Sequence, residues 1–132
     1  MTKEELFEKA VSAMKNAYAP YSHFFVGAAL LAESGRVYTG ANMENATYGA
    51  TVCAERSAFC AAVSAGEREF CALFVVGGKE GKPEIECTPC GICRQTVSEF
   101  CDEDFLIYTT DGKNIFTRKA ADLLPLAFKT EE

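Results

Sequence analysis

The sequence predicts an α/β fold built on a mixed five-stranded sheet with helices on its faces. Three observations point there. Short apolar runs of strand length alternate with segments of helical period. Two of those runs are joined by a four-residue turn and should pair antiparallel, whereas later runs are separated by helices, which sets strands parallel. At 132 residues the chain fits one compact domain, 1–132, able to bury about two thirds of the surface it exposes when unfolded.

Taken in order, Thr2 and Glu5 have capping-box spacing, and Leu6, Ala10, Val11, Met14 and Ala17 recur at helical intervals, so a first helix is expected over residues 3–17. Pro20 in "YAPYS" breaks it. "FFVGAALLA" then reads as a strand, "ESGR" as a hairpin turn and "VYTG" as the returning strand. "ANMENATYGATV" has no period and reads as a loop, while "CAERSAFCAAVSAG" is rich in helix formers and closes on Gly66. "FCALFVV" is a buried strand and "GGKEGKPEIE" a polar loop. The helix "CGICRQTVSEFC" starts just after Pro89, followed by the strand "DFLIYTT", the turn "DGKN", a fifth strand "IFTRK" and a short helix "AADLLP". No internal repeat or low-complexity segment interrupts this order.

Composition excludes several classes of function. The net charge is −6 and the basic residues are scattered, so the footprint of a nucleic-acid binder is missing and a small-molecule substrate is the expectation. No apolar run approaches the roughly 18 residues of a membrane span. The start "MTKEELFEKA" is charged and helical in pattern, unlike a signal peptide, so no membrane partner and a cytoplasmic location are expected. Seven cysteines, an odd number without a secretory signal, argue for metal rather than a disulfide framework.

Cys53 stands at one expected helix start, and Cys90 and Cys93 form a C-x-x-C at another. Three thiolates can therefore meet at two helix N-termini, where backbone N–H groups favour negative charge. Three protein ligands with an open position is the catalytic pattern for zinc, and four is the structural one. Glu55, two residues after Cys53, would border the metal rather than complete its shell, and there it can act as a general base. Cys53-Ala-Glu55 and Pro89-Cys90-Gly-Ile-Cys93 match the zinc-deaminase signature with cysteine in place of histidine.

The stretch "NMENATYGATVCAERSAF" together with "TPCGICRQ" resembles the small homotetrameric cytidine deaminases, and the likeness runs from "NAYAPYSHFFVGAALL" to "LLPLAF". The resemblance implies a three-layer α/β/α cytidine deaminase-like fold and one Zn2+ per subunit on Cys53, Cys90 and Cys93. It also implies hydrolytic deamination of cytidine and deoxycytidine in pyrimidine salvage. Glu55 would carry protons from water to the ring N3 and then to the leaving amino group. Asn42 and Glu44 would hydrogen-bond the ribose, Phe24 and Val26 would line the base pocket, and backbone groups of Ala54 and Thr88 would read the base edges. Phe128 would reach a neighbouring subunit's site, making the homotetramer one with shared active sites. Three thiolates on a divalent cation leave a charge of −1, so Arg56, with Arg94 as a second candidate, would donate to ligand sulfurs and withdraw some of it.

Other readings of the same residues stay open at this level. By pattern alone Phe24 and Val26 are strand core, Asn42 and Glu44 are loop polar residues, Phe128 anchors a tail, and either arginine is a surface ion-pair partner. His23 reads as a surface or hydrogen-bonding residue, and Cys60, Cys71 and Cys101 as small hydrophobes. Cys87 extends the motif to C-x-x-C-x-x-C and with Cys53 could close a four-cysteine structural zinc site; the run also imitates an iron–sulfur motif, without its C-x₃-C-P continuation. Within enzymes, the nearest rival is a blasticidin S-type nucleoside antibiotic deaminase, from which "NMEN" and Arg56 set this chain apart.

Overall fold

The computed structural model describes residues 1–130. Helix α1 spans Lys3–Met14, and its Thr2–Glu5 capping box is formed in both directions. It ends three residues before the expected boundary because Tyr18 is drawn into a bridge with Met43, which forces the chain into extended backbone. Strands β1 (Phe24–Ala32) and β2 (Val37–Ala41) form the hairpin. Helix α2 (Ala54–Ser64) leads to β3 (Phe70–Lys79), α3 (Gly91–Phe100) to β4 (Leu106–Thr110), and β5 (Ile115–Lys119) to the one-turn α4 (Ala120–Leu123).

The sheet is mixed and five-stranded in the order β2-β1-β3-β4-β5, with only β3 and β4 parallel neighbours. The crossover through α2 does make β3 run in the direction of β2, but β1 lies between them, because its longer apolar run pairs with both. Strand β3 also runs three residues beyond its expected end at Val76. Gly77 and Gly78, which read as loop, pair with Val26 and Phe25. A side chain at Gly77 would sit 2.8 Å from the Cys87 sulfur, so the glycine marks a close approach inside the sheet rather than a turn.

The pleat sorts the apolar side chains into two cores. Ala29, Phe74 and Val76 pack under α1 with Leu6, Ala10 and Met14. Ala28, Leu30, Leu73, Val75 and Ile107 pack on the other face against Ala58, Phe59 and Ala62 of α2 and Val97 of α3. This is the three-layer α/β/α arrangement. Two expected hydrophobes do not join it: Cys60 and Cys71 are exposed, on the outer side of α2 and at the start of β3. Because β2, β3 and β4 all point the same way, the loops leaving them open at one edge of the sheet. The chain enters β1 at that edge too, with Phe24 opposite Lys79. A crevice outside the carboxyl ends of such strands is the expected place for a ligand.

Candidate functional site

The loops that leave β2 and β3 at this edge each end in a cysteine at a helix N-cap. Cys53 caps α2 and Cys90 caps α3, each with extended backbone and no side-chain cap bond, while their carbonyls accept the first helical bonds from Ser57 and Arg94. Their thiols are thus left at the positive ends of two helices. Cys93 lies one turn into α3 and is buried. Cys53 and Cys90 Sγ are 3.6 Å apart, Cys90 and Cys93 Sγ 3.5 Å, and all three sulfurs fall within 4.8 Å of one another. Among the described residues this is the one metal-competent group, and Cys87 is not in it. Its thiol packs against Gly77 and the sheet core, and burial pushes it up to about 12.

The electrostatics of the cluster are those of a site short of positive charge. The hydrogen bond from Cys93 holds the Cys53 thiol down to about 5 against its burial, with Arg56 and Cys90 contributing further. The same contact, with burial, pushes Cys93 up. Arg56 donates through Nη2 to the Thr51 carbonyl at 3.1 Å and lies 3.7 Å from Cys53 Sγ, while its buried Nε has no partner. Glu55 is only 4% exposed, and burial raises its carboxyl from 4.5 to about 7, with the Cys53 charge adding to the effect. The donor set fits zinc: thiolates at a Zn–S distance of about 2.3 Å sit roughly 3.7 Å apart at tetrahedral angles, close to the two shorter separations seen. Exposed Cys90 leaves one side of the cluster open to solvent.

The remaining candidates divide in two. Phe24 and Val26 lie on the α2/α3 side of the sheet at its open edge, half-buried, with the Phe24 ring beside Gly77. Asn42 fixes both: its Oδ1 accepts from Val26 N and its Nδ2 donates to the Phe24 carbonyl, each at 2.9 Å. Glu44 accepts from the backbone N–H of Tyr21 at 3.0 Å, from that of Ser22 at 3.1 Å, and from the Ser22 hydroxyl, and this hydroxyl is the leading cause holding its carboxyl below the usual range. Ala54 is fully buried as the first residue of α2, and Thr88 lies exposed on the loop before Cys90.

Phe128 is 72% exposed, and its carbonyl accepts from Gln95 Nε2 at 2.9 Å. Arg94 does not face sulfur. Its Nε donates to the Pro89 carbonyl (2.6 Å), Nη1 to the Leu123 carbonyl (2.7 Å) and Nη2 to Thr88 Oγ1 (3.1 Å). Sequence reasoning missed these contacts, as it missed the anchoring of Glu44 on residues 21–22, where "YAPYS" signalled a helix break and nothing of its partner. His23 is exposed, with a left-handed φ of 56°.

Comparison with known proteins bears on what this arrangement is for. The profile of the cytidine and deoxycytidylate deaminase zinc-binding region matches residues 1–109. A cytidine deaminase of Sporosarcina psychrophila is 48% identical over all of this chain and 95% of its own length. The crystal structure of a cytidine deaminase from Burkholderia pseudomallei superposes with a TM-score of 0.89 at 44% identity, covering 97% of this chain and 100% of that one. A blasticidin-S deaminase of Bacillus cereus is more distant, at 29% identity over 94% of this chain and 90% of its own.

Proposed function

This chain belongs to the cytidine and deoxycytidylate deaminase family, and from that premise we propose that it hydrolyses free cytidine and deoxycytidine to uridine and deoxyuridine, releasing ammonia. The observation that carries the reading is a cluster of three sulfurs at two helix N-termini beside one buried carboxyl group. Cys53, Cys90 and Cys93 hold one zinc ion per chain. Zinc, when bound, supplies a Lewis acid that makes water a nucleophile near neutral pH.

Glu55 does the proton work. Burial holds its carboxyl above the usual carboxylate range, which favours its taking up a proton, and keeps bulk water from competing. It takes one proton from the attacking water and passes it to N3 of the base, then passes the second to the departing amino group. One water is consumed and one ammonia leaves per nucleoside. Arg56 draws charge from Cys53, which otherwise would weaken the acidifying effect of the metal.

The pocket is assembled from groups that already hold one another. Asn42 and Glu44 use part of their capacity on the backbone of β1 and of residues 21–22, which fixes their orientation. An amide hydrogen and several lone pairs remain for the ribose hydroxyls. Phe24 and Val26 flank the base, and backbone groups of Ala54 and Thr88 read its edges. Phe128, whose ring is 72% exposed in its own chain, serves the site of a neighbouring subunit in a homotetramer. A free nucleoside substrate fits a cytoplasmic enzyme of pyrimidine salvage, and among the described residues no helix is long and apolar enough to cross a membrane.

The test is ammonia release by the zinc-loaded protein from cytidine, deoxycytidine, CMP and blasticidin S in parallel. Release from the two free nucleosides alone is expected. Glu55→Gln should retain one zinc per chain and lose about 10⁴-fold in rate, as befits a group that handles two proton transfers. Release from blasticidin S alone, or near-normal turnover in Glu55→Gln, would sink the reading.

A further inference from the structure

The guanidinium of Arg94, on α3, ties the loop before Cys90 to the end of α4. The Pro89 carbonyl at 2.6 Å belongs to the Pro89–Cys90 peptide, and a planar peptide held at its oxygen also fixes the nitrogen and Cα of Cys90. The Leu123 carbonyl at 2.7 Å ends α4, where a helix leaves its oxygens without intrahelical partners. Thr88 Oγ1 at 3.1 Å lies on the same loop as Pro89, one residue before it. One residue further, Gln95 binds the carbonyl of Phe128 at 2.9 Å. The two residues that directly follow Cys93 thus hold both ends of segment 123–128, while Arg94 also holds the peptide that presents Cys90. Three forked donors at fixed angles are what only a guanidinium offers; an ammonium is a single point.

We propose that Arg94 is a positioning residue that couples the cysteine cluster to the C-terminal segment carrying Phe128. The inference rests on the reading of Cys90 and Cys93 as metal ligands. With a metal fixing Cys90, the Pro89 carbonyl is held where it orients the guanidinium, and the guanidinium then meets Leu123 without further ordering. Linkage makes the effect reciprocal: a docked tail strengthens the hold on the metal, and a bound metal steadies the tail. Arg94 therefore sets the placement of a segment that ends in an aromatic ring 72% exposed in this chain.

Two measurements on the full chain decide it. Hydrogen exchange of the amides in 123–128 is compared between zinc-loaded and zinc-stripped wild type, and zinc transfer to a chromophoric chelator is timed for wild type, Arg94→Gln and Arg94→Lys. Zinc should slow exchange of the segment about tenfold in wild type, the scale of one charge-assisted hydrogen bond. In Arg94→Gln the loaded and stripped forms should exchange alike and release zinc about tenfold faster, and Arg94→Lys should behave like Arg94→Gln, since charge without the fork does not span the three acceptors. Identical exchange in loaded and stripped wild type overturns the coupling without any variant having to fold. So does zinc bound normally by wild type and released at the same rate by Arg94→Gln. Failure of wild type to bind zinc at all overturns the ligand assignment, and the coupling falls with it.

Discussion

Gly40→Ala is the perturbation that best tests how the fold places the chemistry. Gly40 is a buried residue of β2, and in a strand interior an alanine ordinarily gains stability over glycine by reducing the freedom of the unfolded chain. Here the sign should reverse. A Cβ on Gly40 would overlap the Ala54 carbonyl, lie 2.6 Å from Ala58 N and 2.9 Å from Ser57 Cβ, all in the first turns of α2. The approach to Ala58 N alone is about 0.8 Å short of the 3.4 Å at which ordinary packing begins, the Ala54 carbonyl is nearer still, and both atoms are backbone that cannot rotate away. The helix must shift off the sheet by an amount of that order, at a cost of about 2 kcal/mol in overpacking, or several degrees in Tm. The end that shifts carries Cys53 and Glu55, and a misplacement near 1 Å can cost about 10²-fold in rate. Calorimetry and ammonia release on the zinc-loaded variant read the two effects together. A Gly40→Ala protein with the Tm and turnover of wild type would show that α2 is not held in place by this contact.

Four further outcomes follow from the same geometry. Arg56→Gln should fold, since its partners are one carbonyl and one sulfur, but release zinc faster or turn over more slowly; unchanged zinc content and rate would remove Arg56 from the site. Cys87→Ala should still bind one zinc per chain, measured by metal analysis, because Cys87 lies outside the sulfur cluster, and loss of the metal would revive the closed four-cysteine site. Phe128→Ala should change unfolding free energy by less than about 0.5 kcal/mol, its ring being 72% exposed, yet lower kcat/KM; full activity would leave the ring without a role. Glu86 has its carboxyl held below the usual range first by the Thr109 hydroxyl and then by Arg118, so the stability it contributes is present above the ordinary carboxylate pKa of about 4.3 and is lost as pH falls through the lowered value. The difference in urea midpoint between wild type and Glu86→Gln should therefore shrink on acidification, and a difference that grows would contradict the linkage.

What could be read from the chain was whatever is decided by neighbours in sequence. The capping box at Thr2, the helix starts after Cys53 and Cys90 and the β1–β2 hairpin all depend on residues within a few positions, and the structure has them within a residue. Where distant pairing decides, the reading slipped. Gly77 and Gly78 carry the local signature of a turn and lie in a strand because β1 pairs with them. The end of α1 was set by the Tyr18–Met43 bridge, and the place of β1 between β2 and β3 by its ability to pair on both sides. The site divides in the same way. Cysteines and a glutamate at fixed spacing follow from what a metal and a proton carrier require, whereas Leu123, bound by Arg94, and Tyr21, bound by Glu44, lie 29 and 23 residues away in sequence and leave no periodic trace.

The same division explains why the chemistry sits at helix starts. Three sulfurs this close repel one another once ionised, and in the interior of a helix nothing would offset that charge. At two N-caps each loop can deliver its cysteine with extended backbone to the positive end of a helix dipole. The cost falls on Glu55, which must stay buried beside a thiol already held down to about 5 and is raised to about 7 as a result. In water that glutamate would be a weak base, fully ionised at neutral pH. Burial first, and the adjacent sulfur second, raise it above the usual carboxylate range, and the burial, which a metal on the sulfurs would not remove, supplies the basicity that the proposed reaction uses.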